Sequence, residues 1–358
     1  MNKVRFLFII LAFFQFVFSQ TFIVEGKFGE KQYDINTIRN IRFTINDSLS
    51  KKSLSLHTVT GIRQFALKNI DTVFFKDSSI LSITHKGETS DFRTADVDYF
   101  DICPILFPDR SPDALQGSQF MQQILNMDFN QREPLIRDQI LSGNIPDFLR
   151  NLITLTSQFQ DLNGTTHTIE YDVFPDYLAI GSDNDFCRNP MGPENAQAIA
   201  DAFGCILPTR KLVDDIWKHA TVHLTPIPYT PVGTENNKVY KFIQHNTDIE
   251  TARIATGGQL GELIAGIKKD VVITNILLTK PGFVAIYGWH YTTGVPIQPL
   301  YVGHVDYYVD YSHGIRLINS VMRVDGVPMR VQDILRDPVL YKLISDETGP
   351  MSQPYYYY

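Results

Sequence analysis

Apolar positions recur with two different periods along the chain, and the change falls near residue 95. Before it, β-branched and aromatic runs at Thr21–Val24, Ile41–Ile45, Thr72–Phe75 and Ile80–Thr84 are separated by polar breaks such as Asn46-Asp47-Ser48. Such runs predict strands joined by turns, so residues 20–95 read as a small β-rich module. After it, helical spacing predicts helices over Phe120–Asp128, Glu133–Ser142 and Pro146–Leu155. Thr168–Phe174 alternates as a strand. Asn195–Phe203 reads as a helix stopped by Gly204, and Thr209 is placed to cap a helix over Arg210–His219. Asp270–Leu278 and Gly282–Trp289 have the composition of buried strands, and Val331–Leu335 and Pro338–Ile344 read as short terminal helices. Helices and strands in this irregular order predict an α+β domain over 96–358 rather than a wound parallel sheet.

The first nineteen residues follow neither period. Lys3 and Arg5 precede an apolar run from Phe6 to Phe14 that resumes through Phe16, Val17 and Phe18, and Ser19 is a small residue suited to cleavage. This is the pattern of a secretory signal peptide over 1–19. The expected mature chain is secreted or periplasmic, with no transmembrane segment after cleavage.

Composition narrows the functions. Of 358 residues, 32 are Lys or Arg and 39 are Asp or Glu, a formal charge of −7. A nucleic-acid binder needs a basic face to displace counterions, so nucleic acid is not an expected partner; a polymeric or small-molecule extracellular substrate is. The three cysteines, Cys103, Cys187 and Cys205, leave three readings open: a Cys187–Cys205 bridge, a bridge from Cys103 to either, or free thiols.

Candidate chemistry is densest near the C-terminus. His290 follows Trp289, and His304, Asp306, Tyr308, Asp310 and His313 lie within ten residues. Strand alternation would put His304 and Asp306 on one face, with Asp310 in phase if the strand stays regular. A carboxylate beside an imidazole can orient it for acid–base work or share a metal with it. The catalytic candidates are therefore His304, His313, Asp306, Asp310 and His290, with Trp289, Tyr308, Lys268 and Lys269 as substrate-binding candidates. A divalent metal is one option for a cofactor, with His304, His313, Asp306, Asp183 and Asp185 as candidate ligands. Cys205, ahead of the helix at Arg210, is the alternative nucleophile, paired with His304 or His313. A third option is a non-catalytic carbohydrate- or partner-binding surface made of Trp289, Tyr291, Tyr307, Tyr308 and Tyr311.

The stretch Asp176–Glu347 resembles a group of secreted bacterial proteins of uncharacterised function. The resemblance is carried by Leu207-Pro208-Thr209-Arg210-Lys211, Lys268-Lys269-Asp270-Val271-Val272, Ile286-Tyr287-Gly288-Trp289-His290, Pro296-Ile297-Gln298-Pro299-Leu300 and Asp310-Tyr311-Ser312-His313-Gly314. It implies export but no activity. The order of Cys205 and His304 also bears a looser likeness to papain-like cell-wall peptidases, where a Cys before a helix works with a His on a later strand. With no cofactor motif, the expected function is a secreted hydrolase of an extracellular or cell-envelope polymer.

Overall fold

The computed structural model describes the strands and single flanking residues given below up to residue 104, and then 107–357 apart from 231 and 232. The fold is α+β, and the chain divides into two units, Met1–Pro108 and Asp109–Tyr358.

All regular structure described in the first unit is strand. β1 (Ala12–Gln15), β2 (Thr21–Gly26), β3 (Gly29–Asp34), β4 (Lys52–Thr58), β5 (Gly61–Ala66), β6 (Ile70–Asp77), β7 (Ile80–His85), β8 (Glu88–Arg93) and β9 (Val97–Pro104) form sheets ordered β1-β9-β4-β5, β2-β3 and β6-β7-β8. Leu54 with Leu56 and Val73 with Phe75 are buried at a spacing of two, as strands with one covered face require, while in β7 Leu81, Ser82 and Ile83 are all buried. Of the predicted leader, only Ala12–Gln15 is described, as β1 paired with β9; the rest, like the predicted strand Ile41–Ile45, lies outside the described residues. The unit ends at Pro108 rather than near 95 because β9 pairs along its length with β4.

In the second unit, α1 (Gly117–Ile124) and α2 (Phe129–Leu141) lead to β10 (Ile153–Gln160) and β11 (Thr166–Val173). The predicted helix at Pro146–Leu155 is instead one 3₁₀ turn, Asp147–Arg150, running into β10. The Ile-Thr-Leu-Thr run there is β-branched and alternating, which outweighs the helical spacing before it. The ribbon β12 (Ala179–Ser182)–β13 (Asp185–Arg188) precedes α3 (Pro193–Ala202) and β14 (Cys205–Ile206). α4 (Arg210–His219) starts where predicted, with Thr209 Oγ1 accepting from Leu212 N. β15 (Val222–His223) and β16 (Ile264–Ala265) pair in parallel on either side of α5 (Val239–Ala255).

The remaining strands are β17 (Lys269–Val271), β18 (Phe283–His290), β19 (Pro296–Val305), β20 (His313–Gly314), β21 (Ile318–Asn319), β22 (Val321–Val324) and β23 (Val327–Arg330), followed by α6 (Val331–Arg336) and α7 (Tyr341–Ile344). The strand predicted at Asp270–Leu278 stops at Val271, and Asn275–Thr279 is a 3₁₀ turn whose residues are not buried. Two sheets result. One runs β14-β21-β11-β22-β23 with β10 also on β11; the other runs β19-β18-β17-β20, with β17 and β20 parallel. α4 joins them through adjacent carboxylates. Asp215 accepts from Ser157 Oγ of β10 and Tyr171 OH of β11, while Asp214 accepts from Tyr287 OH and His290 of β18. Among the described residues no helix is long and apolar enough to cross a membrane.

Candidate active site

Lys268 immediately precedes β17, which Lys269 and Asp270 open, and extended backbone sends Lys268 and Asp270 one way and Lys269 the other. Lys268 and Asp270 line a crevice whose other walls include Tyr177, Trp217, Trp289 and His290. The crevice is narrow, with a cavity volume of about 10 Å³.

Successive residues of a regular strand point to opposite faces, yet Trp289 and His290 both reach this crevice. The backbone there is irregular: the β18–β19 register shifts between Ile286 and Gly288, and Gly288 and Trp289 both take positive φ, 99° and 55°. A bulged, left-handed segment re-aims side chains in this way. At a non-glycine residue such strain costs on the order of 1–3 kcal/mol and concentrates at functional sites.

Within the crevice His290 Nε2 is 2.9 Å from Asp214 Oδ1, so the imidazole is held by a carboxylate on α4. Asp270 is buried and accepts from Tyr177 OH at 2.8 Å, while its Oδ1 has no hydrogen-bond partner among the described residues. Burial pushes its carboxyl up to about 6, against the opposing charge of Arg316. Arg316 is itself buried, donating to the carbonyls of Phe174, Pro175 and Ile264 and lying over the Tyr177 ring. Lys268 Nζ donates to Tyr311 O at 2.6 Å and lies 3.3 Å from His245 Nδ1; burial lowers the amine to about 7. It is turned inward, so the substrate-binding candidate Lys268 offers no surface cation.

The other predicted histidines do not line the crevice. His313, on β20, is paired in register with Lys269. It is 1 % exposed, its Nε2 is 4.0 Å from Asp310 Oδ1, and neither ring nitrogen has a hydrogen-bond partner among the described residues. Burial drives it down to about 4, which keeps it neutral. Asp310 Oδ1 accepts from Ser312 N and Oγ. Burial works to raise that carboxyl, but His313, Lys269 and the Ser312 hydrogen bonds together hold it below the usual range. His304 is half-buried, stacked on Tyr308 at 4.3 Å and 6.3 Å from the His313 ring. Lys269 Nζ lies 5.4 Å from the Trp289 ring centre.

Several expected groupings do not form. β19 ends at Val305 in a turn closed by Tyr308 N donating to Val305 O, so strand alternation does not carry from His304 to Asp306. Asp306 lies toward Gly282 instead. Asp183 accepts from Phe148 N, and Asp185 accepts from Ser118 N and Oγ; both tie loops together. Among the described residues no three His, Cys, Asp or Glu side chains converge as a metal site requires. Cys205 is a buried thiol on β14 that donates to Phe203 O at 3.6 Å, and burial raises its pKa, so it is neither paired with His304 or His313 nor activated. Cys187 and Cys205 are both free, which removes the bridge between them; the Cys103 side chain lies outside the described residues. Of the proposed aromatic surface, Trp289 and Tyr311 are buried while Tyr291 and Tyr307 are exposed, so the five do not form one face.

Sequence reasoning missed Tyr177, Asp214, Asp270 as a site residue, Arg316 and His245. It also missed the buried pair of Arg188 with Asp176, which Asn246 and Glu250 complete. The available signal was charged residues set among apolar neighbours, as in Val271-Val272 after Asp270 and Ile315-Arg316-Leu317. No protein-family model, curated protein or solved structure matches the chain.

Proposed function

We propose that the chain is an exported hydrolase of an extracellular or cell-envelope polymer, with His290 as general base and Asp270 as general acid. The observation that carries this is a crevice in which an imidazole fixed by Asp214 at 2.9 Å shares walls with a carboxyl that burial keeps protonated up to about pH 6. Two titratable groups in unlike environments suit the two halves of a hydrolysis. His290 takes a proton from water as its oxygen attacks the scissile centre. Asp270 gives its proton to the departing oxygen or nitrogen. Proton return from His290 to Asp270 through solvent resets the pair. Export is supported by the leader pattern over 1–19.

The test is release of reducing ends and of free amines from purified cell-wall and polysaccharide substrates. His290→Ala and Asp270→Asn are each expected to lower the rate by about 10²–10⁴-fold. The wild-type rate should fall as pH rises through about 6, because Asp270 then loses the proton it donates. Folded variants that retain full activity, or a wild type that cleaves none of these polymers, would overturn the assignment.

A further inference from the structure

Residues that line the crevice carry unpaired hydrogen-bonding groups of both kinds. Trp217 Nε1 and Trp289 Nε1 are buried donors without a partner among the described residues, and Asp270 Oδ1, once the carboxyl ionises above about pH 6, is a buried acceptor without one. All three residues line the same crevice. Leaving such groups unpaired costs roughly 1–3 kcal/mol each. A ligand that fills the crevice must therefore both give and accept. An alkyl side chain does neither, and a carbonyl only accepts. A hydroxyl does both from one atom.

Charge points the same way. Lys268 and Arg316 oppose Asp270 in the lining. Neither an ammonium nor an oxyanion is favoured over a neutral polar group. The aromatic walls offer flat apolar faces, Trp217 lying 5.9 Å from the His290 ring at an interplanar angle of 31°. Rings of this kind pack against the C–H faces of a saturated, hydroxylated ring. The free space of about 10 Å³ admits one hydroxyl-sized group, so the ring itself sits at the mouth and sends one arm inward.

We propose that the crevice binds a sugar residue, one of whose hydroxyls enters between Asp270 and the two indole N–H groups, so that the polymer is a glycan. The inference rests on the hydrolase reading only in taking the bound sugar to be part of the substrate. Its test is separate from turnover. Trp217 and Trp289 are the only tryptophans of the chain, so indole fluorescence reports on this crevice alone. The full chain is titrated above about pH 6, where Asp270 is ionised, with chitotetraose, cellotetraose, xylotetraose and maltotetraose, and with tetraglycine and tetra-alanine as peptide counterparts.

A saturable emission change with at least one tetrasaccharide and with neither peptide is expected. Trp217→Phe and Trp289→Phe, which keep a ring but remove the N–H, should each weaken that binding by about 3–10-fold. Tyr307→Phe, at an exposed ring outside the crevice, should not change it. No response to any of the four sugars, or a response to the peptides alone, overturns the proposal. Sugar binding without cleavage leaves it standing and removes the hydrolase. Peptide-bond cleavage without sugar binding does the reverse. If one tryptophan variant fails to fold, the wild-type titration and the other variant decide.

Discussion

An ammonium on a four-carbon stem belongs in water, yet Lys268 is 1 % exposed. Burial is the largest influence on it and disfavours the charged form; Arg188 adds to this, while Cys187, Asp310 and Asp176 oppose it. The ordinary value of 10.5 falls to about 7 in the folded chain. Between those values the unfolded chain holds the proton and the folded chain does not, so this residue makes stability rise with pH across that window and leaves the full cost of a buried charge below it. Lys268→Met removes the group while keeping most of its volume. The stability difference, wild type minus variant, should grow by roughly 1–4 kcal/mol between pH 7 and pH 10. Urea midpoints at the two pH values measure it, and the buried tyrosines cancel in the difference. A difference that stays constant with pH would mean that Lys268 is charged in the folded chain throughout.

The bulge in β18 is the element that brings Trp289 and His290 together, and Gly288 is its hinge. A Cβ there would lie 3.1 Å from Val213 Cγ1 and 3.3–3.4 Å from the His290 ring, on a backbone at φ 99°. Gly288→Ala should therefore push His290 off Asp214. A misplacement of about 1 Å can cost on the order of 10²-fold in rate, and strain at positive φ adds about 1–2 kcal/mol of destabilisation. Turnover per folded molecule separates the two effects; a variant that only melts earlier would place the bulge outside the chemistry. Elements set by local signals were legible in the sequence. α4 begins where Thr209 can cap it, and α3 ends at Ala202, followed by Phe203 as its C-cap and Gly204 in the left-handed region at φ 65°. α5 was not legible, because its buried stripe runs through His245 and Asn246 between Phe242 and Ile249, and buried polar residues break an apolar count. The Lys268-Lys269-Asp270 and Trp289-His290 segments stood out locally. Their partners did not: Tyr177 meets Asp270 across 93 residues and Asp214 meets His290 across 76. No periodicity encodes such meetings.

At the scale of the whole molecule, the point of division matters for how the second unit can be isolated. β9 carries Val97, Tyr99, Phe100 and Ile102 and pairs with β4 on one side and, in the uncleaved chain, with β1 of the leader segment on the other, both in the first unit. A chain cut near residue 96 keeps β9 without either partner. It would then expose two rows of unpaired backbone groups beside aromatic and β-branched side chains, a template for edge-to-edge association. A chain beginning at Asp109 carries no such strand. It keeps α4, β17 and β18, and with them Asp214, Lys268, Asp270 and His290. The core around Val213, Val272, Ala285, Tyr287 and Val302 also lies wholly within it. Residues 109–358 should therefore be monomeric by light scattering, melt in one cooperative transition and retain the turnover of the full chain. Residues 96–358 should associate or precipitate at the same concentration. The reverse outcome, a well-behaved longer fragment and an insoluble shorter one, would show that β9 belongs structurally to the second unit.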